Sequence, residues 1–129
     1  MQYIIMIAVV LGLALSDFIT GVIKGYVTNS LSSAKMRRGG VNKLGDLVIM
    51  STACGLEIGI KALGAYYESD MLAGITGATA AIIIFGYIVI MELLSILENY
   101  AEITPEAHWI AAVLKKLKNV NDKEDKHDD

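Results

Sequence analysis

Three apolar runs of about twenty residues constrain this chain more than any other feature. They cover residues 3–26, 44–66 and 71–91, with two short polar segments between them. About twenty apolar residues in a helix span the roughly 30 Å hydrocarbon core of a bilayer. A backbone crossing lipid must satisfy its own hydrogen bonds, which leaves helices or closed barrels. Runs this long, without strict alternation, read as helices. Hydrophobic residues make up 54% of the 129 residues and aromatics only 7%, so the excess is aliphatic and small, as in helices embedded in lipid. The expected fold is an all-α membrane protein with about three transmembrane helices and a C-terminal amphipathic helix, assembling into oligomers.

Polar residues inside these runs show where helices must meet something other than lipid. In the first run Asp17 is the one strongly polar residue before Ile23, with Ser16 and Thr20 weaker. No basic segment precedes it and no small-x-small pattern follows, so it reads as a retained span and not a secretory signal. Gly21 and Gly25 are four apart, a spacing that lets helix backbones approach. Ordinary tolerance of glycine in a membrane helix explains each of them equally well. The second run carries Asp46, Glu57 and Lys61, and each ionised group near a helix centre costs roughly 2.5–3.5 kcal/mol. Glu57 and Lys61 stand in the favourable order for pairing on one helix face. Gly55 and Gly59 form a GxxxG beside them. The third run has no charge, and Gly74 and Gly77 are each followed four residues later by alanine.

The segment 29–43, NSLSSAKMRRGGVNK, reads as a polar loop turning at Gly39-Gly40, with Lys35, Arg37, Arg38 and Lys43 and no acid. A basic cluster this short, between two spans, is a topology signal and not a nucleic-acid site. It places the loop and the C-terminus in the cytoplasm and the N-terminus outside. The third span continues without a break signal through GYIVIMELLSILENYAEI, residues 86–103. There Glu92, Ser95, Asn99 and Glu102 fall on one helical stripe. Carboxylates in such a stripe need a partner, a pore or the membrane surface. Asp17, Glu57, Lys61 and Glu92 are therefore candidates for pore lining or triggering. Arg37, Arg38 and Lys43 are candidates to dock on Glu92, Glu98, Asn99 and Glu102, within or between subunits.

Thr104 reads as an N-cap with Pro105 in the first helical position. The amphipathic helix 105–118 that follows puts Trp109, Ile110, Val113, Leu114 and Leu117 on one face. It either lies among headgroups with Trp109 as anchor or packs on a partner subunit. Residues 1–118 thus form one membrane domain, with helical extension 92–103, and 119–129 a charged, disordered tail.

No enzyme site emerges. His108 and His127 stand apart, Cys54 is the single cysteine, and no metal set or cofactor motif is present. GGVNKLG lacks the spacing of a nucleotide-binding loop. The residues leave a pore-former, a small channel or transporter, or a membrane scaffold.

Three stretches carry a resemblance. They are DFITG at 17–21, SSAKMRRGGVNK at 32–43 and ELLSILENYAEI at 92–103. In this order and spacing the chain resembles the toxin-secretion/phage-lysis holin family (phage holin family 4). It departs from that pattern after Glu98-Asn99, where Thr104-Pro105 comes early. The resemblance implies a catalytically inert protein of the bacterial cytoplasmic membrane. It implies assembly of the protein with itself into lesions that collapse the membrane potential. Through these an endolysin, or in some relatives a large toxin, crosses without need of direct contact.

Overall fold

The computed structural model describes residues 1–69, 71 and 79–124. Among these, four helices follow in order: α1 (Gln2–Val27), α2 (Ser33–Tyr66), α3 (Thr79–Ile103) and α4 (His108–Glu124). The first three are long and apolar enough to cross a membrane. α1 and α3 run in the same direction and pack along each other, with α2 antiparallel against both. The bundle therefore has a loop end, where α1 turns into α2 and α3 finishes, and an N-terminal end, where α1 and α3 begin.

The first reversal is shorter than expected. α2 starts at Ser33, and Gly39-Gly40 lies within it instead of forming a turn. The turn is made by a backbone cap at the end of α1. Ser30 N–H donates to the Gly25 carbonyl and Asn29 N–H to that of Tyr26, with Asn29 in the left-handed region at φ 51°. This is the Schellman arrangement, in which asparagine substitutes for glycine. No glycine is then needed as a breaker, and each helical glycine costs only about 1 kcal/mol relative to alanine. Glu68, at φ 49°, closes α2 in the same way, with Ser69 N–H donating to Gly64.

α3 runs unbroken from Thr79 to Ile103 and stops where Pro105 disfavours helix at the preceding residue. Thr104 does not cap a helix starting at 105. Its carbonyl instead accepts from Ala107 N–H in a tight turn, and α4 begins at His108. That turn folds α4 back so that Ile110 is fully buried, with Val113, Leu114 and Leu117 half-buried on the same side. α4 continues to Glu124, six residues beyond the predicted end.

The core comprises Val10, Met50, Ala53, Cys54, Ala81 and Ile88, flanked by Tyr3, Met6, Ile7, Leu47, Ile84 and Phe85. The outside is as apolar as the inside: Ile4, Leu15 and Ile19 on α1, Val48 and Leu56 on α2, and Ile83 and Tyr87 on α3 are all exposed. The buried polar residues among those described are Asp17, Glu57, Glu92 and Asn99. Greasy outside and charged within is the reverse of a water-soluble bundle, and it suits a protein whose solvent is lipid.

Candidate functional site

The helix register brings charges to one level. Asp17 stands ten residues before the end of α1, Lys43 ten residues after the start of α2, and Glu92 eleven before the end of α3. At the helical rise all three lie about 15 Å from the loop end. The two acids and the nearby Asn99 also point inward: Glu92 is 2% exposed, Asp17 7% and Asn99 8%.

Lys43 is the hub. Its Nζ donates to Glu92 Oε1 at 2.6 Å and Oε2 at 2.7 Å, and meets Asp17 Oδ2 at 2.7 Å. An ammonium has three protons, and here it has three carboxylate oxygens. The remaining Asp17 oxygen, Oδ1, accepts from Asn99 Nδ2 at 2.9 Å. Asn99 also reaches Thr20 Oγ1 at 3.3 Å, and the Thr20 hydroxyl donates to the Asp17 carbonyl at 3.0 Å. Every carboxylate oxygen in the cluster is thus partnered. Two carboxylates face one ammonium, so its formal charge is −1. The cluster ties α1, α2 and α3 together at one depth.

The other buried acid is treated differently. Glu57, 4% exposed, accepts through Oε1 from the Ala81 N–H in the first described turn of α3, at 2.9 Å. Its Oε2 has no hydrogen-bond partner among the described residues. The expected pair with Lys61 does not form. Lys61 donates to the Tyr3 hydroxyl at 2.8 Å and sits 5.4 Å from that ring's centre. Four residues along a helix advance about 400°, so Lys61 is rotated about 40° from Glu57. That rotation carries Lys61 out of the core to its rim, where Tyr3 is the nearer polar group.

Toward the loop end, Glu102 pairs with Lys24 at 2.8 Å and Glu98 with Lys118 at 2.6 Å. Within the chain these acids therefore meet Lys24 and Lys118, not Arg37 or Arg38, which form no ion pair among the described residues. The glycine pairs also divide. A Cβ on Gly21 would lie 3.6 Å from Asn99 Nδ2, and one on Gly25 would lie 3.0 Å from Leu31 Cδ1. The first is ordinary van der Waals contact with a neighbouring helix, and the second a tight approach to the turn that follows α1. Gly55 and Gly59 face outward, and a Cβ added at either would meet nothing within 4 Å. Gly74 and Gly77 lie outside the described residues. Trp109 is 62% exposed on the outer side of α4.

Sequence reasoning separated residues that the fold unites. The expected docking of Lys43 on Glu92 forms within the chain, but Asp17, assigned only to triggering, joins the same ammonium, and Thr20, Tyr3, Lys24 and Lys118 were overlooked. Counting residues from helix ends finds the shared depth only once the start of α2 is known. Chemically, the cluster holds charge inside an apolar bundle. Among the described residues no group of His, Cys, Asp and Glu could hold a metal ion.

The family model for the bacteriophage holin family matches residues 2–119, which takes in all three spans and most of α4. No curated protein and no solved structure matches the chain.

Proposed function

The chain belongs to the bacteriophage holin family, and from that membership we propose that it oligomerises in the bacterial cytoplasmic membrane and opens lesions that release an endolysin. The three-helix bundle is then the closed form. The observation that carries this reading is the buried cluster of Asp17, Lys43, Glu92 and Asn99. In the closed form these charges satisfy one another. In a lesion they line water, which removes the cost of burying them, so the same residues tolerate both states.

Asp17, Glu57, Lys61 and Glu92 act as the switch in this scheme. Loss of potential biases it, because each charge moved across the membrane is worth roughly 2.3 kcal/mol per 100 mV, multiplied over subunits. Arg37 and Arg38, without ion partners among the described residues of their own chain, are left to meet acids of neighbouring subunits. The basic residues Lys35, Arg37 and Arg38 at the loop end favour the topology with that end cytoplasmic and the N-terminus outside. Trp109 on α4 then anchors at the headgroups.

Inducible expression beside an endolysin, followed with a potential-sensitive dye, tests the proposal. The expected course is a delay, abrupt depolarisation, then escape of cytoplasmic protein. Saturable transport of one solute with the potential intact would instead mark a transporter. Cells that stay polarised and impermeable would mark a scaffold.

A further inference from the structure

Between the second half of α1 and the beginning of α2 lies a cleft of about 270 Å³ that neither the core nor the ion cluster fills. Its floor is formed by Asp17, Lys43 and Asn99, and its mouth, at the α1–α2 turn, by Lys24, Lys35, Ser30 and Ser32. The walls between are apolar, with Phe18, Val22 and Met36 half-buried along them. The single acid in the lining, Asp17, is already held by Lys43 and Asn99. Lys24 is held by Glu102, whereas Lys35 is exposed and makes no ion pair among the described residues. Ser32, at the start of α2, makes no side-chain cap bond.

We propose that this cleft binds one anionic glycerophospholipid. Its phosphate sits at the mouth, between Lys35, Lys24 and the Ser32 hydroxyl, and its glycerol and upper acyl carbons lie along Phe18, Val22 and Met36. Three features select this ligand class. The mouth is cationic and supplies hydroxyl donors, which fits a phosphate. The walls are apolar, which a free phosphate ester would leave unused. The cleft lies at the end of a membrane span, where headgroups are found. This inference goes beyond the lytic role and does not depend on it, since a transporter or a scaffold with this cleft would bind the same lipid.

Gly39 supplies the discriminating variant. It lines the cleft, and a Cβ built on it meets nothing within 4 Å. Gly39→Leu therefore fills the cleft without changing charge, and inside a helix it is also a favourable exchange. Lys35→Gln, at an exposed position, removes the mouth cation that has no ion pair among the described residues, without disturbing packing. The experiment is native mass spectrometry of the full chain in detergent. It is titrated separately with phosphatidylglycerol, with phosphatidylcholine and with glycerol phosphate, with helix content checked by circular dichroism.

The wild type is expected to retain one phosphatidylglycerol in preference to phosphatidylcholine. Lys35→Gln should weaken that binding about five-fold, the value of one cation at an anionic headgroup. Gly39→Leu should weaken it at least as much with all cations kept. Wild-type binding by folded Gly39→Leu overturns the cleft as the site, because surface charge alone would then explain retention. Equal retention of phosphatidylcholine overturns the headgroup assignment. Full competition by glycerol phosphate overturns the lipid in favour of a soluble phosphate ester. If Gly39→Leu loses helix, an unchanged affinity in Lys35→Gln overturns the proposal by itself.

Discussion

In the half of the bundle nearer the loop end, two carboxylates close around one ammonium, an amide holds the remaining oxygen of one of them, and each of the three spans contributes a charge. At the N-terminal end, Glu57 is buried with one backbone N–H for a partner among the described residues, and it joins α2 to α3. Both ends hold carboxylates in apolar surroundings, and the isolated burial of each would cost about the same. The difference lies in what separation of the helices does. Moving any one span away from the others at the loop end leaves a buried charge unmatched. Parting α2 from α3 at the other end gives up, among the described residues, the bond from the Ala81 N–H and lets an oxygen without a partner among them reach water. Among the described residues the bundle is thus clasped by charge toward one end and held by single hydrogen bonds, Ala81 to Glu57 and Lys61 to Tyr3, at the other, and a transition that opens it should begin near Glu57.

The largest expected effect breaks the clasp. Lys43→Met keeps the length and apolar stem of the side chain but leaves Asp17 and Glu92 buried without their cation. Removing one partner of a buried ion pair typically costs about 3–5 kcal/mol. Equilibrium unfolding in mixed micelles should show a loss of that size, and induced cells should lyse early. Neutralising the acids as well, with Asp17→Asn and Glu92→Gln, should recover much of the loss. A single Lys43→Met variant as stable as wild type would remove the distinction between the two ends.

Asn99→Ala probes the same end more gently. It strips the amide from Asp17 Oδ1 and from Thr20 while leaving Lys43 in place. A hydrogen bond to a charged group is worth about 1.5–3 kcal/mol, so the loss should fall in that range, below the effect of Lys43→Met. The contrast with the other end is sharpest in Glu57→Gln. Glutamine keeps an oxygen for the Ala81 N–H and replaces an oxygen that has no partner among the described residues. Stability should stay the same or rise by no more than about 1 kcal/mol. The lysis time should nonetheless shift, because glutamine brings no charge to the water-lined state. An unchanged schedule would exclude Glu57 from the switch.

How much of this was readable from the sequence depends on whether the signal was periodic or relational. The three spans, the unbroken run through Glu92 and the inward stripe of Glu92 and Asn99 follow from apolar length and the 3.6-residue period, which are local properties. The start of α2 was misplaced because Gly39-Gly40 is a strong local turn signal. The actual turn rests on Asn29 in a left-handed cap, a quieter one. Misplacing that start hid the equal depth of Asp17 with Lys43 and Glu92, so the expected docking of Lys43 on Glu92 lacked its third member, Asp17. The pairing of Glu57 with Lys61 failed for a related reason. The four-residue rule describes an isolated helix, whereas here α3 offers Glu57 an N–H inside the core and α1 offers Lys61 a hydroxyl at the rim. Such choices are made between helices, and no window along one helix contains them.

The exposed pair of Glu98 and Lys118, which fastens α4 to α3, supplies a third case and the smallest effect. Its carboxylate and ammonium approach as closely as those of the buried cluster, at 2.6 Å, but their side chains are 44% and 59% exposed. Water and salt already satisfy both groups when they separate, so such pairs contribute about 0–1 kcal/mol. Glu98→Gln should therefore cost less than about 0.5 kcal/mol in the same unfolding assay, with that cost vanishing in high salt. α4 should stay docked, because Ile110 is fully buried beneath it and dominates its attachment. Should Glu98→Gln rival Lys43→Met, distance alone would govern these pairs, and the contrast drawn from burial between the two ends of the bundle would lose its physical basis.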